Sequence, residues 1–343
     1  MFKKVFSIIP LLIFASCSNG TSSNTAKPNA DPNYKPIVIA HRSASGYVPE
    51  HTLAALAMAH AFDVDYLEAD IVLTKDDVLV VMHDNTLNTS TDVAKKFPDR
   101  KREDGNYYVI DFTLEEIKSL IVHERSKDDL SGPVFPDRFP YNDNVEFRIP
   151  TFEEFLITVQ GMNKSRKKLI GIYPEVKNPA FHEKEGKDIV KITIDMLNKY
   201  GYNGTQNGNC VLQIFEYDAV KRARTELGWK GDLAMLVEDE RLYTEEGIKD
   251  VSQYANIYAP SINALVKESS NEKGYEIVPI LDIARKYNMR TCVWTYRIDQ
   301  LPLPKKSSDE NLSILFNELK VDEMFSDFPD VVIDYLKRNG MRN

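Results

Sequence analysis

The sequence predicts one α/β domain folded as a (β/α)8 barrel, the TIM barrel. Apolar runs of strand length alternate with amphipathic helical stretches, which is the pattern of parallel α/β folds. The chain has 343 residues, enough for one large domain, and no linker-like segment divides residues 35–343. Nine strands are predicted, one more than the barrel needs, so one strand must lie outside it.

The first residues are predicted to lie outside the barrel. Lys3 and Lys4 precede a short apolar stretch, and small residues lead up to Cys17, which resembles a bacterial lipoprotein signal. We expect residues 1–16 to be removed and Cys17 to be lipidated; an ordinary secretory signal is the alternative. Residues 17–34 are rich in Ser, Asn and Pro and predict a disordered tether. The protein is therefore expected to be membrane-anchored on the periplasmic or outer-membrane face of a bacterium.

The net charge and the cysteines indicate which partners to expect and which state the thiols have. A net charge of -9 without a basic run argues against nucleic acid as the main partner. Cys210 and Cys292 lie in apolar, strand-like runs, so we expect buried, unpaired thiols, although export would permit a disulfide. Any anionic substrate of this acidic chain needs a local cluster of cations or a metal ion.

The predicted elements follow one another along the whole domain. Capping boxes mark two helix starts, at Thr113 with Glu116 and at Thr151 with Glu154. Strands are predicted at 36–41, 66–73, 78–83, 169–176, 210–215, 232–237, 256–260, 290–296 and 323–327. Helices are predicted at 50–62, 151–161, 185–200, 216–227, 279–287, 309–319 and 329–338.

The extra strand is explained by a hairpin. Only four residues separate 66–73 from 78–83, too few for a parallel crossover. An antiparallel turn would return His83 opposite residues near Ala69. The next stretch, 84–150, is too long for an ordinary barrel loop, and we expect a mostly helical insertion that covers the mouth of the barrel.

Carboxylates recur at the ends of predicted strands. Glu68 and Asp70 are two residues apart on a strand, so both side chains leave the same face. Glu175 and Lys177 repeat this spacing. Carboxylates crowded at a barrel mouth need a compensating cation, and oxygen ligands suit Ca²⁺ or Mg²⁺. Without nearby cations, Glu68 and Glu175 would instead suggest a glycosidase pair.

Two histidines and two cations complete the predicted site. His41 and His83 both end strand-like runs, and histidine can exchange protons near neutral pH. Arg42 and Lys177 indicate that the substrate carries an oxyanion such as phosphate. The histidines could instead bind zinc, but the carboxylate-rich site with these two cations favours a hard metal ion over zinc. Two other histidines are expected at the surface: His60 and His182.

Eight short motifs occur in order between residues 36 and 334: His41-Arg42, Pro49-Glu50-His51-Thr52, Glu68-x-Asp70, Thr74-Lys75-Asp76, His83-Asp84, Pro174-Glu175-Val176-Lys177, Trp294-Thr295 and Ser326-Asp327-Phe328-Pro329. Together they resemble the glycerophosphodiester phosphodiesterases. The insertion resembles that of the periplasmic-type subgroup, in the segments 97–100, 104–120 and 147–154.

The resemblance implies a TIM barrel of the phospholipase C-like phosphodiesterase type. It also implies metal-dependent hydrolysis of glycerophosphodiesters, such as glycerophosphocholine and glycerophosphoethanolamine, to sn-glycerol 3-phosphate and an alcohol, in glycerol and lipid metabolism. Ca²⁺ is the expected metal and Mg²⁺ the second choice. The resemblance implies His41 and His83 as acid and base, Glu68, Asp70 and Glu175 as metal ligands, Arg42 and Lys177 as phosphate-binding residues, and Glu50 as a support for Arg42 or the metal site.

One position departs from the family pattern. Ser43 stands where the family usually has Gly, which indicates a special φ or a close backbone approach to the ligand. Serine there could strain the turn, narrow the site or donate a hydrogen bond. Because every residue implied for the chemistry is present, we expect an active enzyme with an altered rate or specificity. Two other functions stay open at this point. One is a phosphodiesterase that acts on phospholipids, lysolipids or a glycerophosphate polymer. The other is an inactive lipoprotein that binds glycerophosphoryl ligands.

Overall fold

Eight parallel strands close into a barrel in the computed structural model, which describes residues 33–140, 145–203, 210–305 and 307–343. The first strand along the chain, Ile37–Ala40, pairs with the last, Glu323–Ser326, and with the second, Tyr66–Leu73, and these pairings close the ring. The predicted (β/α)8 barrel is therefore confirmed. The predicted signal, Cys17 and most of the tether lie outside the described residues.

The nine predicted strands are present close to their predicted positions. The bounds of all the strands are β1 Ile37–Ala40, β2 Tyr66–Leu73, β3 Leu79–Val81, β4 Gly171–Val176, β5 Val211–Ile214, β6 Asp232–Val237, β7 Ile257–Pro260, β8 Val266–Glu268, β9 Tyr275–Ile277, β10 Arg290–Tyr296 and β11 Glu323–Ser326. The order around the barrel is β1-β11-β10-β7-β6-β5-β4-β2. The small antiparallel pair of β8 and β9 was not predicted. It lies in the connection between β7 and β10.

The α-helices are α1 Leu53–Ala61, α2 Val93–Lys96, α3 Leu114–Ser119, α4 Phe152–Arg166, α5 Pro179–Lys184, α6 Ile189–Lys199, α7 Tyr217–Thr225, α8 Glu245–Val251, α9 Ile280–Lys286, α10 Ser308–Ser313 and α11 Pro329–Arg338. Short 3₁₀ turns occur at Val109–Asp111, Glu240–Tyr243 and Ile262–Ala264, and a π-helical turn at Ile314–Glu318. Both predicted capping boxes are present. Among the described residues, no helix has the length and apolarity to cross a membrane.

The predicted hairpin is confirmed. β3 pairs antiparallel with the distal half of β2, with Ile71 opposite Val81, and the amide of Met82 donates to the carbonyl of Asp70. β1 ends at the level of Leu67, so β2 extends beyond it and would have a free edge. β3 occupies that edge, which explains how a ninth strand fits a barrel of eight.

The insertion is not mostly helical, so that prediction was wrong. Its described part, 84–140 and 145–150, contains only α2, α3 and one 3₁₀ turn, joined by turns and isolated bridges. Prolines interrupt helical hydrogen bonding along it, at Pro98, Pro133, Pro136, Pro140 and Pro150. Apolar side chains of the insertion instead pack on Val72, Val80 and Met82, the face of the hairpin that points away from the barrel.

The packing forms three apolar clusters. The largest lies between the barrel and its surrounding helices, and a second fills the barrel interior around Tyr173 and Phe325. The third is the core of the insertion on the hairpin. Cys210 and Cys292 are buried and free, as predicted. The insertion is thus fixed to the barrel by a core of its own, which holds its polar loops against the mouth.

Candidate active site

The predicted site residues meet at a cavity of about 770 Å³ at the carboxyl ends of the barrel strands. Side chains at this end come from many different strands, so residues far apart in sequence become neighbours. Six predicted residues line it: His41, Arg42, Glu68, His83, Glu175 and Lys177. Phe215 and Trp294 also line the cavity, and their rings meet edge to face with centroids 5.5 Å apart.

Three buried carboxylates lie on neighbouring strands. Asp70 on β2 is directly opposite Glu175 on β4, and Glu68 lies two residues earlier. The Nζ of Lys177 is 2.6 Å from Glu175 Oε1 and 3.9 Å from Asp70 Oδ1. Burial raises the pKa of Glu68 well above its usual range, and neighbouring Asp70 and Glu175 add to this. Burial also raises the pKa of Glu175.

Asp70 behaves differently from its neighbours. Burial opposes its ionisation, but Lys177 and His51 hold the pKa of Asp70 well below its usual range. Opposite shifts on adjacent carboxyls follow from crowded like charges, which do not all ionise without a cation. The site therefore has the electrostatics of a place that receives positive charge.

His51 joins the carboxylates, which the sequence reasoning did not foresee. Its Nε2 is 2.7 Å from Asp70 Oδ2, and the backbone has a φ of +62°. One ligand atom each from His51, Glu68 and Asp70 lies within 4.8 Å of the others, so these residues can hold a metal ion. Glu175 is not in that group. The only sequence signal for His51 was its place in the segment PEHT, just before the N-cap of α1.

His41 forms a buried pair with Asp327. Its Nδ1 is 2.6 Å from Asp327 Oδ1, across the adjacent strands β1 and β11. An ionised carboxylate at Nδ1 accepts its proton and leaves Nε2 of the neutral ring free to take another. Burial and neighbouring Arg42 lower the pKa of His41 to about 4, although Asp327 opposes the shift. The ring is therefore neutral at pH 7.

His83 has a similar pair in the next residue of the chain. Its Nδ1 is 2.5 Å from Asp84 Oδ1, just after the hairpin. Burial, Arg42 and Lys177 lower the pKa of His83, so this ring is neutral at pH 7 as well. An anion bound between Arg42 and Lys177 would offset those two charges and raise the pKa of His83.

Arg42 is held by two carboxylates. Its Nη1 donates to Glu50 Oε2 at 3.0 Å, and its Nε lies 3.6 Å from Asp70 Oδ2. Its backbone amide donates to Glu68. Glu50 also accepts from Arg125 of the insertion, with Nη2 2.5 Å from Oε1. Glu50 therefore contacts the predicted phosphate-binding arginine and lies outside the group of possible metal ligands.

Residues 41–331 match the model of the glycerophosphoryl diester phosphodiesterase family. The chain belongs to that family. It is 39% identical to a glycerophosphodiester phosphodiesterase of Haemophilus influenzae, over 96% of this chain and 97% of the relative. It is 34% identical to one of Treponema pallidum, over 88% of this chain and 91% of the relative.

Solved structures of phosphodiesterases share the fold. A protein of Silicibacter pomeroyi described as a putative glycerophosphoryl diester phosphodiesterase superposes with a TM-score of 0.67 at 19% identity, covering 90% of this chain and 96% of that one. A phosphodiesterase from Oleispira antarctica, in complex with its product sn-glycerol-3-phosphate, gives 0.62 at 18% identity and covers 89% and 98%. At these identities the likeness supports the barrel, and family membership rests on the sequence matches.

Two histidines predicted at the surface are buried in this family member. His60 contacts Asn163 and Arg166 of α4, with Nε2 3.1 Å from Asn163 Oδ1. His182 Nε2 accepts a hydrogen bond at 3.3 Å from the backbone amide of Leu73, the last residue of β2. Their short-range sequence patterns gave no sign of these contacts, which join residues about 100 positions apart in the chain.

A larger groove, of about 1910 Å³, lies on the outer surface along α5 to α8. None of the predicted site residues lines it. Its walls mix acidic and basic side chains of the outer helices, without a cluster comparable to that at the barrel mouth. The chemistry therefore belongs to the smaller cavity.

Proposed function

We propose that the protein hydrolyses glycerophosphodiesters to sn-glycerol 3-phosphate and an alcohol, with His41 and His83 as acid and base. The observation that carries the proposal is the meeting of two histidine–aspartate pairs with Arg42, Lys177 and buried carboxylates at one cavity. The Haemophilus influenzae and Treponema pallidum relatives carry the name of this activity. The product bound to the Oleispira antarctica protein supports sn-glycerol 3-phosphate as the product here as well.

Arg42 and Lys177 are proposed to bind the phosphoryl oxygens. A guanidinium can contact two oxygens at once, and an ammonium adds a point charge. Both groups line the cavity, and both keep their charge at neutral pH because neighbouring carboxylates raise their pKa against the effect of burial. Glu50 is proposed to orient Arg42 through their 3.0 Å contact.

The carboxylates are proposed to hold a divalent cation, Ca²⁺ first and Mg²⁺ second. Glu68, Asp70 and Glu175 are the proposed ligands, and His51 is an added candidate because its Nε2 lies within the same group. The donor set fits a cation because several buried acidic groups crowd one place, where their charges oppose one another. A bound cation would withdraw charge from a phosphoryl oxygen.

The two histidines are proposed to divide the proton transfers. Each ring is neutral at pH 7 and has its Nδ1 at an aspartate, so each can accept a proton at Nε2. The ring that accepts a proton from the nucleophile is the base. The other must deliver one to the departing alcohol, and a bound phosphodiester anion favours its protonated form by offsetting Arg42 and Lys177.

The protein is also proposed to be exported and anchored through a lipid on Cys17, on the periplasmic or outer-membrane face of a bacterium. Support comes from the basic start, the short apolar stretch and the small residues before Cys17. Metabolic labelling with a fatty acid tests this directly. Wild-type protein is expected to incorporate the label, and Cys17→Ala is expected to lose it.

The activity is tested with purified protein that lacks residues 1–17. Release of sn-glycerol 3-phosphate is measured from several glycerophosphodiesters, with Ca²⁺, Mg²⁺ or a chelator. We expect release that the chelator abolishes and Ca²⁺ restores. Release only from phospholipid, lysolipid or polymer substrates would move the assignment to those classes. Ligand binding without any turnover would leave a binding lipoprotein and reject the enzyme.

A further inference from the structure

Two arginines of the insertion contact the two aspartates that hold the histidines. Arg125 Nη1 is 2.5 Å from Asp84 Oδ2, while the other oxygen of Asp84 holds His83. Arg138 Nη2 is 2.8 Å from Asp327 Oδ2, and the other oxygen of Asp327 holds His41. Each aspartate therefore lies between a histidine of the barrel or hairpin and an arginine of the insertion.

Arg125 is fixed at both ends of its guanidinium. Beyond Asp84, it donates from Nη2 to Glu50 Oε1 at 2.5 Å and from Nε to Glu50 Oε2 at 3.2 Å. Its side chain is only 15% exposed. Because Glu50 also holds Arg42, this one guanidinium links the support of a predicted phosphate-binding residue to the aspartate that holds His83.

Arg138 is fixed even more closely. Its side chain is 4% exposed, its guanidinium stacks over the ring of Phe135 at 3.5 Å, and it forms a forked pair with Asp299. A planar, buried fork with partners on several sides has little rotational freedom. Asp327 is held in the orientation in which one oxygen faces His41.

We propose that Arg125 and Arg138 are positioning residues through which the insertion sets the orientation and tautomer of both histidines. The inference rests on the proposed function of His41 and His83. An aspartate that stays ionised and fixed accepts the Nδ1 proton, and each neutral ring then presents Nε2 for proton transfer. The insertion therefore takes part in catalysis through the histidines as well as covering the mouth.

The two arginines are not equivalent, which gives the proposal a specific expectation. Asp327 has a second arginine, Arg297, which follows β10 and whose Nε is 2.8 Å from Oδ2. Asp84 has, apart from Arg125 and His83, a hydroxyl contact from Thr89 at 3.0 Å. Removal of Arg125 should therefore disturb His83 more than removal of Arg138 disturbs His41.

The experiment compares Arg125→Met and Arg138→Met with a matched control, Arg102→Met. Arg102 is also an insertion arginine with two acidic partners and an aromatic contact, but its partners are Asp111, Glu185 and Tyr108, away from the cavity. We expect kcat to fall ~10- to 100-fold for Arg125→Met and less for Arg138→Met, with little change in KM. The control should keep wild-type kcat.

A second readout separates positioning from general stability. Histidine ¹⁵N NMR reports which ring nitrogen carries the proton, and His41→Gln and His83→Gln identify the two signals. We expect the His83 signal to change in Arg125→Met, the His41 signal in Arg138→Met, and neither in Arg102→Met. This readout needs no substrate, so it still decides the inference if the wild type fails to hydrolyse glycerophosphodiesters.

Should the methionine variants fail to fold, Arg125→Lys and Arg138→Lys decide the question. Lysine keeps the positive charge but cannot make the two parallel hydrogen bonds of a guanidinium. We therefore expect a lower kcat and altered histidine signals in the lysine variants, with smaller changes than the loss of the whole contact would cause. Unchanged kcat and unchanged histidine signals in the folded arginine variants, whether methionine or lysine, would overturn the proposal.

Discussion

The two histidine–aspartate pairs have similar contacts but are assembled in different ways. His41 and Asp327 are 286 positions apart, on adjacent barrel strands, with side chains 13% and 2% exposed. His83 and Asp84 are neighbours in the chain, at the end of the hairpin, with side chains 29% and 23% exposed. One pair depends on closure of the barrel, and the other on a local turn held by the insertion.

The two pairs should matter equally for proton transfer but unequally for the stability of the fold. Both pairs can present Nε2 to the same cavity, so their loss should affect catalysis alike. The aspartates differ most: Asp327 is 2% exposed against 23% for Asp84, and Asp327 also pairs with Arg138 and Arg297. Damage to the pair of His41 and Asp327 should therefore destabilise the fold far more than damage to the hairpin pair.

The largest expected effect tests the shared chemistry. His41→Gln and His83→Gln should each lower kcat for release of sn-glycerol 3-phosphate by about 10²- to 10⁴-fold, because each removes one proton-transfer group. His182→Gln is the control, since His182 is buried away from the cavity. If either variant of the pair keeps activity within tenfold of the wild type, that histidine does not have the proposed role.

The second prediction concerns stability. Asp327→Asn should lower the free energy of unfolding by about 3–5 kcal/mol, because it removes a buried carboxylate that pairs with His41, Arg138 and Arg297 at once. Asp84→Asn should cost about 1–3 kcal/mol, because its site admits water. Urea unfolding of both variants measures the difference. Equal losses would mean that burial does not distinguish the two pairs.

The third prediction concerns the pH dependence of stability, which the buried His41 should affect. The pKa of His41 is about 4 in the folded state against 6.5 for the free side chain, so below pH 6.5 the unfolded chain binds the proton first. The neutral His41 ring makes its full contribution to the free energy of unfolding above pH 6.5. This contribution falls by roughly 3 kcal/mol as the pH is lowered to about 4. Urea unfolding between pH 4 and 8 should show a shallower acid slope for His41→Gln than for the wild type. Parallel slopes would count against a buried neutral His41.

The smallest effect concerns the turn that follows His41. Ser43 has a φ of +71°, in the left-handed region that favours glycine, which is the special backbone expected at this position. Ser43→Gly should therefore raise the free energy of unfolding by about 1 kcal/mol, because it removes the strain of a positive φ. The greater flexibility of glycine in the unfolded chain offsets part of this gain. Thermal unfolding measures the change. Ser45→Gly, a buried neighbour without a positive φ, should not be stabilised.

Much of the fold could be predicted because its signals are local. The apolar runs and their spacing gave the barrel strands, and the four residues between 66–73 and 78–83 required a hairpin. The helical prediction for the insertion failed because its apolar residues serve long-range packing on Val72, Val80 and Met82. Helical periodicity alone does not reveal that use.

The candidate site also has features that the sequence predicted and features that only the structure revealed. The reactive residue types at strand ends were evident from the sequence, as were the motif His83-Asp84 and the resemblance to the family that the comparisons confirm. Only the tertiary structure decided that Asp327 holds His41, that His51 joins the carboxylates, and that two insertion arginines reach both aspartates. The physical reason is barrel closure: parallel strands bring their carboxyl ends together, and contacts made across that ring leave no fixed spacing in the chain.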